Sequence, residues 1–254
     1  MSGVEMLLVA AAGFLAGMVN AIAGGGSLIS FPALLAVGYP AVTANVTNSL
    51  AMWPGYASSI AAFRGDLKGQ RRRILEIGAT ASAGGIVGVV LLLALPGSVF
   101  DAVVPWCVLF ASALLLVQPR LSVWLRSRPS REGREDHRAL SLHGALFVSG
   151  IYGAYFGGGL GVVLLGLLGL YLSDHLHTVM GIKNVMSLIV STVAALGFIF
   201  FAPIAWRAFV VVAPATFLGG FAGARLAKLI PPEALRIAIV LTGVAVGVVM
   251  LIQG

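Results

Sequence analysis

The sequence predicts an all-α integral membrane protein. Hydrophobic residues make up 59% of the 254 residues, charged residues only 10%, and the mean hydropathy is +1.02. A soluble domain carries about 25% charged residues, so this chain has too few to cover a water-exposed surface. A chain within lipid must satisfy its backbone hydrogen bonds internally, which restricts it to helices or closed barrels. Barrel strands are short alternating segments, whereas the apolar runs here are long and continuous, and we therefore expect helices.

Eight hydrophobic segments follow one another along the chain. Six of them are close to the roughly 20 residues that span a bilayer as a helix, whereas the first and the fifth are each about 30 residues long and contain three consecutive glycines. The segments cover residues 6–37, 43–63, 74–95, 99–117, 142–172, 176–200, 208–229 and 234–252. We predict two four-segment membrane repeats, residues 1–117 and 142–254, joined by a flexible, basic, cytoplasmic linker loop at residues 118–141.

The two halves share landmarks in the same order. The matched landmarks are Phe14, Gly17 and Gly24-Gly25-Gly26 with Phe147, Gly150 and Gly157-Gly158-Gly159, and Gly84-Gly85 and Pro96 with Gly219-Gly220 and Pro231. Two duplicated landmarks indicate an ancestral four-segment unit that is present twice. The alternative is a chance similarity between apolar sequences.

The glycine triplets predict helix breaks in the first and fifth segments. Each glycine in a helix costs about 1 kcal/mol relative to alanine, and close helix packing needs glycines on one face rather than three in succession. Non-helical backbone at membrane depth is tolerated only where it lines a cavity or is buried in protein. Interrupted helices at matching positions of two halves are typical of a transporter's binding site. The pairs Gly84-Gly85 and Gly219-Gly220 are instead typical of close helix packing.

The basic residues indicate the topology. They cluster in residues 64–73 and 120–138, between apolar segments, which is typical of cytoplasmic loops and not of a nucleic-acid-binding module. If the first and fifth segments each cross once, Arg225 and Lys228 lie outside the cell. If those segments are re-entrant, Arg225, Lys228 and Arg236 lie inside and the two halves are inverted. We expect the second arrangement because it satisfies the positive-inside rule better.

The breaks predict a binding site for a small anion. Where a helix restarts, its first N–H groups have no intrahelical partner and its dipole adds partial positive charge, so this end binds anions without a basic side chain. Two breaks offer two such ends to one ligand. The predicted substrate-binding residues are Asn20, Gly24, Gly25, Gly26, Ser27, Asn45, Asn48, Gly157, Gly158, Gly159, Lys183 and Asn184. The hydroxyls of Tyr152 and Tyr155, which precede the second triplet, are further candidates.

Lys183 lies about two turns, or roughly 10 Å, inside the sixth segment. An ionisable residue within the membrane indicates function by default, and the alternative is a side chain that extends to the interface. The asparagines place amides where apolar side chains would cost less, and the alternative for them is hydrogen bonding between helices. His175 and His177, at the start of the same segment, are candidates for binding a coupling proton.

Other chemistries lack the residues that they need. The carboxylates Glu76, Asp101 and Glu233 lie near segment starts, where they stabilise helix ends, and this argues against a cation carrier. Cys107 is the single cysteine and lies in an apolar run, where we expect a small hydrophobic residue. We therefore expect no metal site, no cofactor and no enzymatic activity.

The first half resembles the sulfite exporter TauE/SafE family of membrane transporters. The residues that carry the resemblance are 13–17 (GFLAG), 24–26 (GGG), 31–35 (FPALL) and 44–49 (ANVTNS), and the similarity in hydropathy extends over the whole chain. The resemblance implies a secondary transporter of sulfite, sulfonates or related small anions, usually an exporter. The second half departs from this pattern, because Leu160 and Gly161 stand where the first half has Ser27 and Leu28.

From these features we expect a multi-pass protein of the bacterial inner membrane that works by alternating access around a site between the repeats. Its expected partners are a small anionic substrate and the lipid bilayer, and not nucleic acid. Coupling to protons and assembly as a homodimer stay open. The alternatives are an anion channel and a non-transporting membrane assembly partner. A membrane enzyme is disfavoured because no carboxylate pair or metal cluster lies within a segment.

Overall fold

The chain folds into ten α-helices within the residues that the structure describes. The structure is a computed structural model of the 254-residue chain, and it describes residues 1–22, 24–126, 135–172, 174–226 and 232–253. The helices are α1 (Gly3–Ile22), α2 (Ser27–Ala36), α3 (Ala41–Ala62), α4 (Arg71–Ala94), α5 (Gly97–Arg126), α6 (Glu135–Tyr155), α7 (Leu160–Tyr171), α8 (Leu176–Phe201), α9 (Trp206–Leu226) and α10 (Pro232–Gln253). No strand occurs in these ranges, so the all-helical prediction is confirmed.

Five stretches of helix in the described ranges are long and apolar enough to cross a membrane. They are Gly3–Ile22, Arg71–Ala94, Gly97–Arg120, His177–Phe201 and Trp206–Arg225. Large apolar side chains lie on the outside of the protein, including Phe200 and Phe201, which are 73% and 76% exposed. Lipid is the environment in which so much exposed apolar surface is stable. The prediction of a multi-pass membrane protein is therefore confirmed.

Helix α3 is not one of these five because it carries many polar residues. The side chains of Asn45, Thr47, Asn48 and Ser59 are between 0% and 1% exposed. Polar side chains of a membrane helix that face inward either bond to neighbouring helices or line a polar site. Helix α3 therefore places its polar face in the interior of the protein.

The helices are interrupted at the glycine triplets. Helix α1 ends at Ile22 and α2 begins at Ser27, and we call Gly24–Gly26 the first break. Gly24 and Gly25 have φ angles of 85° and 87°, a left-handed conformation that only glycine adopts without strain. Gly26 lies against the carbonyl oxygen of Ala16, so the chain turns back along α1 at this point.

The second triplet also lies in a turn between two helices. Helix α6 ends at Tyr155 and α7 begins at Leu160, and we call Gly157–Gly159 the second break. Gly157 and Gly159 have φ angles of 76° and 77°. Both long segments are therefore built from two helices each.

Glycines allow the backbones of two helix pairs, α1 with α9 and α4 with α6, to touch. A Cβ atom at Gly219 in α9 would overlap the carbonyl oxygen of Phe14 in α1. A Cβ atom at Gly84 in α4 would likewise overlap the carbonyl oxygen of Phe147 in α6. Such close approach is the means by which membrane helices associate without a hydrophobic driving force. The first helix of each predicted repeat thus packs on the third hydrophobic segment of the other.

The packing contacts also establish the directions of the helices. Helices α1, α3 and α9 run one way, and α4, α6 and α8 run together the other way. The contacts that establish this are Gly13 with Val212, Gly17 with Gly220, Gly55 with Thr216 and Ser58 with Gly220 in the first group, Gly84 with Phe147, Gly88 with Ala154, Gly78 with Met186 and Gly197 with Val89 in the second, and Ser49 with Ser191 and Phe63 with Gly181 between α3 and α8. Helices α5 and α10 pack antiparallel, with Ser112 beside Gly243 and Pro105 beside Gly247.

The predicted flexible loop at residues 118–141 needs correction. Helix α5 continues to Arg126 and α6 already begins at Glu135, so both ends of the predicted loop are helical. Extending an existing helix adds one hydrogen bond per residue without a new nucleation step, which composition alone does not reveal. Residues 127–134 lie outside the described residues. The division of the chain into two repeats stays a prediction.

The glycine contact between α1 and α9 predicts the effect of a methyl group. We expect Gly219→Ala to destabilise the protein by about 1–3 kcal/mol, because the methyl group overlaps the Phe14 carbonyl oxygen. Thermal unfolding in detergent, followed by the reaction of Cys107 with a fluorogenic thiol reagent, measures the loss. Gly144→Ala in α6 is the control, since nothing lies within 4 Å of its added Cβ. Equal unfolding temperatures for the two variants would contradict this packing.

Candidate functional site

Lys183 lies in the interior of the protein and not at the membrane surface. It belongs to α8, and its side chain is 0% exposed. Its Nζ atom donates a hydrogen bond of 2.9 Å to the backbone carbonyl oxygen of Asn20, the third-last residue of α1. The side chain therefore crosses from the second half of the chain to the end of the first helix, which is not the geometry of a lysine that extends to the lipid headgroups.

Asn20 connects this contact to the first break. Its side-chain Oδ1 accepts a hydrogen bond of 2.8 Å from the N–H group of Gly26. Its Nδ2 lies 3.2 Å from the Sδ atom of Met52 and 3.4 Å from the Tyr56 hydroxyl oxygen. Asn20 thus caps the start of α2 from the end of α1. The expectation that the first break offers its N–H groups to a ligand is wrong for Gly24 and Gly26, whose N–H groups are already bonded to the Val19 carbonyl oxygen and to Asn20 Oδ1.

The first break touches the start of α7 beside the lysine. A Cβ atom at Gly24 would lie 2.6 Å from the carbonyl carbon of Gly161. A Cβ atom at Gly161 would lie 2.9 Å from the Cα atom of Gly24 and 3.7 Å from the Nζ atom of Lys183. Only two glycines allow this approach. The break of one half and the helix that restarts after the break of the other half therefore meet where the buried amine lies.

The second break is held by hydrogen bonds and close packing. The Tyr152 hydroxyl group donates a hydrogen bond to the carbonyl oxygen of Gly158. The Nδ2 atom of Asn45 donates a bond of 2.9 Å to the carbonyl oxygen of Tyr155. Gly159 packs against Ala111 in α5. The hydroxyl of Tyr152 is therefore engaged with the backbone, whereas the sequence made it a candidate for the cavity.

The predicted asparagines have three different environments. Asn48 Oδ1 accepts a hydrogen bond of 2.5 Å from the Ser30 hydroxyl, which ties α3 to α2. Asn45 bonds to the second break as described above, but its Oδ1 is buried without a partner among the described residues. Both side-chain atoms of Asn184 are buried without a partner there, as is the Ser187 hydroxyl. Unpaired buried polar groups are costly, so these groups are candidates for contact with a ligand or water.

A small cavity lies between the two halves of the chain. It holds about 290 Å³ of atom-free space, including the space at its mouth. The cavity is lined by Ser27, Ser49, Met52, Tyr56, Gly153, Gly157, Leu160, Ser187, Ser191 and Ala194. Lys183 is not among these residues, but Leu160 precedes Gly161, which lies beside the lysine, and Ser187 lies one helical turn after Lys183.

Sequence reasoning placed Ser27 and Gly157 in the site but missed Ser49, Ser187 and Ser191. The signal for the last two was available. Ser187 and Ser191 follow Lys183 at intervals of four residues, so all three lie on one face of α8. Ser49 required the structure, because its backbone carbonyl accepts a bond of 3.3 Å from Ser191 on a different helix.

The histidines that were candidates for proton binding lie away from this site. The ring of His177 contacts the ring of Phe63, with centroids 6.4 Å apart, and His175 is exposed. The neighbouring Asp174 forms an ion pair with Arg73 at 2.6 Å. The start of α8 therefore lies beside the basic loop between α3 and α4 and not beside the cavity.

The fold and the buried polar site define a multi-pass helical membrane protein with a polar interior, as in transporters. The family model for the sulfite exporter TauE/SafE matches residues 9–250. The chain therefore belongs to the sulfite exporter TauE/SafE family and is a membrane transporter of that type.

The relatives carry matching names. The chain is 27% identical over 227 residues to a "Probable membrane transporter protein" of Haemophilus influenzae, across 88% of this chain and 86% of the relative. It is 25% identical over 242 residues to "Probable membrane transporter protein ORF9" of Sinorhizobium sp, across 94% of this chain and 90% of the relative. It is 29% identical over 151 residues to "Probable membrane transporter protein YfcA" of Escherichia coli K12, across 56% of this chain and 50% of the relative. No solved structure matches the chain.

The two buried amides of Asn20 and Asn184 predict different costs of truncation. Asn20→Ala leaves the Gly26 N–H group without its acceptor, and we expect it to cost about 1–3 kcal/mol more than Asn184→Ala. Asn184 is the matched control, because its equally buried amide has no partner among the described residues. Thermal unfolding of both variants in detergent without added anions measures the difference. If Asn184→Ala is as destabilising as Asn20→Ala, the cap is not what stabilises the break.

Proposed function

We propose that the protein is a secondary transporter that exports small anions by alternating access around a site between its two repeats. The observation that carries the proposal is the environment of Lys183. This lysine is fully buried beside the contact between Gly24 and Gly161, and the acceptor of its Nζ atom is a neutral carbonyl group. An anion is the partner that such a group lacks.

Charge explains why an anion fits this position. No ion pair in the described part of the chain includes Lys183. Burying an ammonium group without a counter-ion costs several kcal/mol, and an anion at Nζ removes that cost. No carboxylate is among the cavity-lining residues, so the cavity offers no negatively charged side chain to a cation.

Neutral donors complete the site. The hydroxyl groups of Ser27 and Ser187 lie at the cavity, and the Nδ2 group of Asn184 has no acceptor among the described residues. Hydroxyl and amide donors bind oxyanions through hydrogen bonds that strengthen next to a charged group. In this proposal Lys183 supplies charge, and the breaks supply N–H groups other than those of Gly24, Gly26 and Gly157, which are bonded within the chain. The role of Asn45, Asn48 and Asn184 is to orient the substrate or the breaks.

Two inverted repeats account for the helix arrangement. The packing of α1 on α9 has a counterpart in α6 on α4, and that of α2 on α10 has one in α7 on α5. Helices α1 and α3 run opposite to their counterparts α6 and α8. With α1 and α3 parallel, α2 returns to the side from which α1 started, as a re-entrant segment does. These observations support two inverted units, the arrangement that gives alternating access in other transporters.

The family name supports the substrate and the direction of transport. Sulfite, organosulfonates and related organic anions are small and negatively charged, as the site requires. Export follows from the family description, the sulfite exporter. The relatives are named as bacterial membrane transporter proteins. Helical membrane proteins of bacteria belong to the inner membrane, since outer-membrane proteins are barrels, and we propose that location for this helical chain. The direct contact of Gly24 with Gly161 favours a transporter over an open anion channel.

The charge of Lys183 predicts a loss of transport. We expect Lys183→Ala to abolish sulfite transport in proteoliposomes while the variant still folds, because the site then has no charged group to hold the anion. Uptake driven by a sulfite gradient is the measurement, with monodispersity and helical content as checks of folding. Lys68→Ala, which removes an exposed lysine of the loop between α3 and α4, is the matched control. Undiminished transport by Lys183→Ala would remove Lys183 from the site.

The inverted arrangement predicts which positions share a side of the membrane. In a Cys107→Ser background, we expect Gly65→Cys and Arg225→Cys to react with a membrane-impermeant thiol reagent from the cytoplasmic side. Gly97→Cys and Pro203→Cys are expected to react from the other side. All four positions are exposed. If the first and fifth segments crossed fully, Arg225 and Pro203 would exchange sides while Gly65 and Gly97 would not.

A further inference from the structure

The amine of Lys183 is surrounded by uncharged groups. Nζ donates to the carbonyl oxygen of Asn20 at 2.9 Å, and the backbone of Gly161 lies beside it. The Asn20 side chain does not face the amine with its oxygen, because that oxygen is bonded to the Gly26 N–H group at 2.8 Å. An ammonium group has three donors to satisfy, and a neutral amine has fewer. The surroundings therefore fit the neutral amine better than the ammonium ion.

The helices that pack on this part of α8 bring no carboxylate to it. The titratable residue of helix α3 is Tyr56, which faces Asn20. That of α7 is Tyr171, which lies at the far end of the helix. Helix α4 has Glu76 and the arginines at 71–73, which are exposed and lie in the first two turns. Glu5 lies at the exposed start of α1.

The remaining titratable groups are also engaged or distant. On α6, His143 bonds to Thr80 at 2.6 Å, Tyr152 bonds to Gly158, and the Tyr155 ring packs on Phe100. The charged residues at 135–138 lie at the opposite end of α6, and their side chains lie outside the described part of the chain. On α8 itself, His177 contacts Phe63. No group that the structure describes is therefore placed to balance a charge on Lys183.

We infer that Lys183 is the residue that couples transport to protons, and that one proton is carried with each anion. In the empty site the lysine is a neutral amine. When an anion enters, the nitrogen lone pair takes up a proton, and the resulting ammonium ion pairs with the anion. On the other side of the membrane the anion leaves and the ammonium ion releases the same proton. A monoanion and a proton then move together, and no net charge crosses the membrane. This inference rests on the proposed anion transport.

The burial of the amine beside the contact of Gly24 with Gly161 explains why the two events are linked. The Lys183 side chain is 0% exposed, so neither bulk water nor an anion reaches Nζ in this conformation. Protonation without an anion would leave an unpaired buried charge, and binding of an anion without protonation would leave a buried anion beside a neutral amine. Both states are disfavoured by desolvation, so the two ions enter and leave together.

Calorimetry on the full chain in detergent measures the coupling directly. Methanesulfonate is the probe, because it stays ionised across about pH 6 to 9 and itself takes up no proton. Titrations in buffers of different ionisation enthalpy give the number of protons taken up per anion. We expect about one proton in the pH range in which the empty-site amine is neutral, and a dissociation constant that rises about tenfold per pH unit there. Binding without proton uptake would overturn the inference and leave the proposed function intact. Absence of binding by sulfite and by methanesulfonate would overturn both.

Proteoliposomes with a trapped pH dye test the same inference during transport. An inward methanesulfonate gradient is expected to acidify the interior, and clamping the voltage with potassium and valinomycin is expected to leave the rate unchanged. Lys183→Arg keeps a permanent charge, so we expect it to exchange anions without acidifying the interior. Lys183→Gln is expected neither to exchange anions nor to acidify the interior. Lys68→Arg is expected to behave as the unmodified protein. Acidification by Lys183→Arg equal to that of the unmodified protein would assign the proton to another group. If Lys183→Arg does not fold, the proton count of the unmodified protein decides.

Discussion

The structure depends on one close approach of backbone, that of Gly24 to the start of α7 beside Lys183. Neither segment tolerates a side chain at this contact. The Lys183 amine lies beside the contact and donates to the carbonyl oxygen of Asn20. Asn20 connects the parts, since its carbonyl group accepts from the lysine and its side chain caps Gly26 at the start of α2. A change in the charge or position of the amine is therefore transmitted directly to the end of α1 and the beginning of α2.

The same dependence on glycine decides which helices move together. Helix α1 packs backbone to backbone on α9, which also packs on α3, and α6 packs in the same way on α4, which also packs on α8. Each of these groups combines helices from both halves of the chain. The site lies between them, because Lys183 of α8 reaches Asn20 of α1. Under the proposed alternating access, the bodies that rock would be these two mixed groups and not the two predicted repeats.

Much of this arrangement follows from the sequence, because its signals are local. Three consecutive glycines cannot continue a membrane helix at low cost, so both breaks were predictable. A lysine two turns inside an apolar run indicates a functional position. The cap that Asn20 places on Gly26 was not predictable, since Asn20 and Gly26 lie on opposite sides of a turn whose geometry the sequence does not reveal. The contact of Ser191 with Ser49 joins residues on separate helices. Helical extensions at both ends of the 118–141 region were missed because their composition is that of a loop.

Both breaks are glycine turns between two helices, but the side chains around them differ, and this difference leaves the proposed site with one charged group. At the spacing of the repeat, Gly153 corresponds to Asn20 and Leu160 to Ser27. A Cβ atom at Gly153 would lie 2.6 Å from the side chain of Leu160, so an apolar contact replaces the polar residues of the first half. Thr47, which corresponds to Lys183 when the repeat is shifted by three residues, accepts a bond of 3.0 Å from the N–H group of Ala205 and carries no charge. In the proposed site, one lysine at the junction would balance a single negative charge, and the predicted second repeat would contribute that charge without a counterpart in the first.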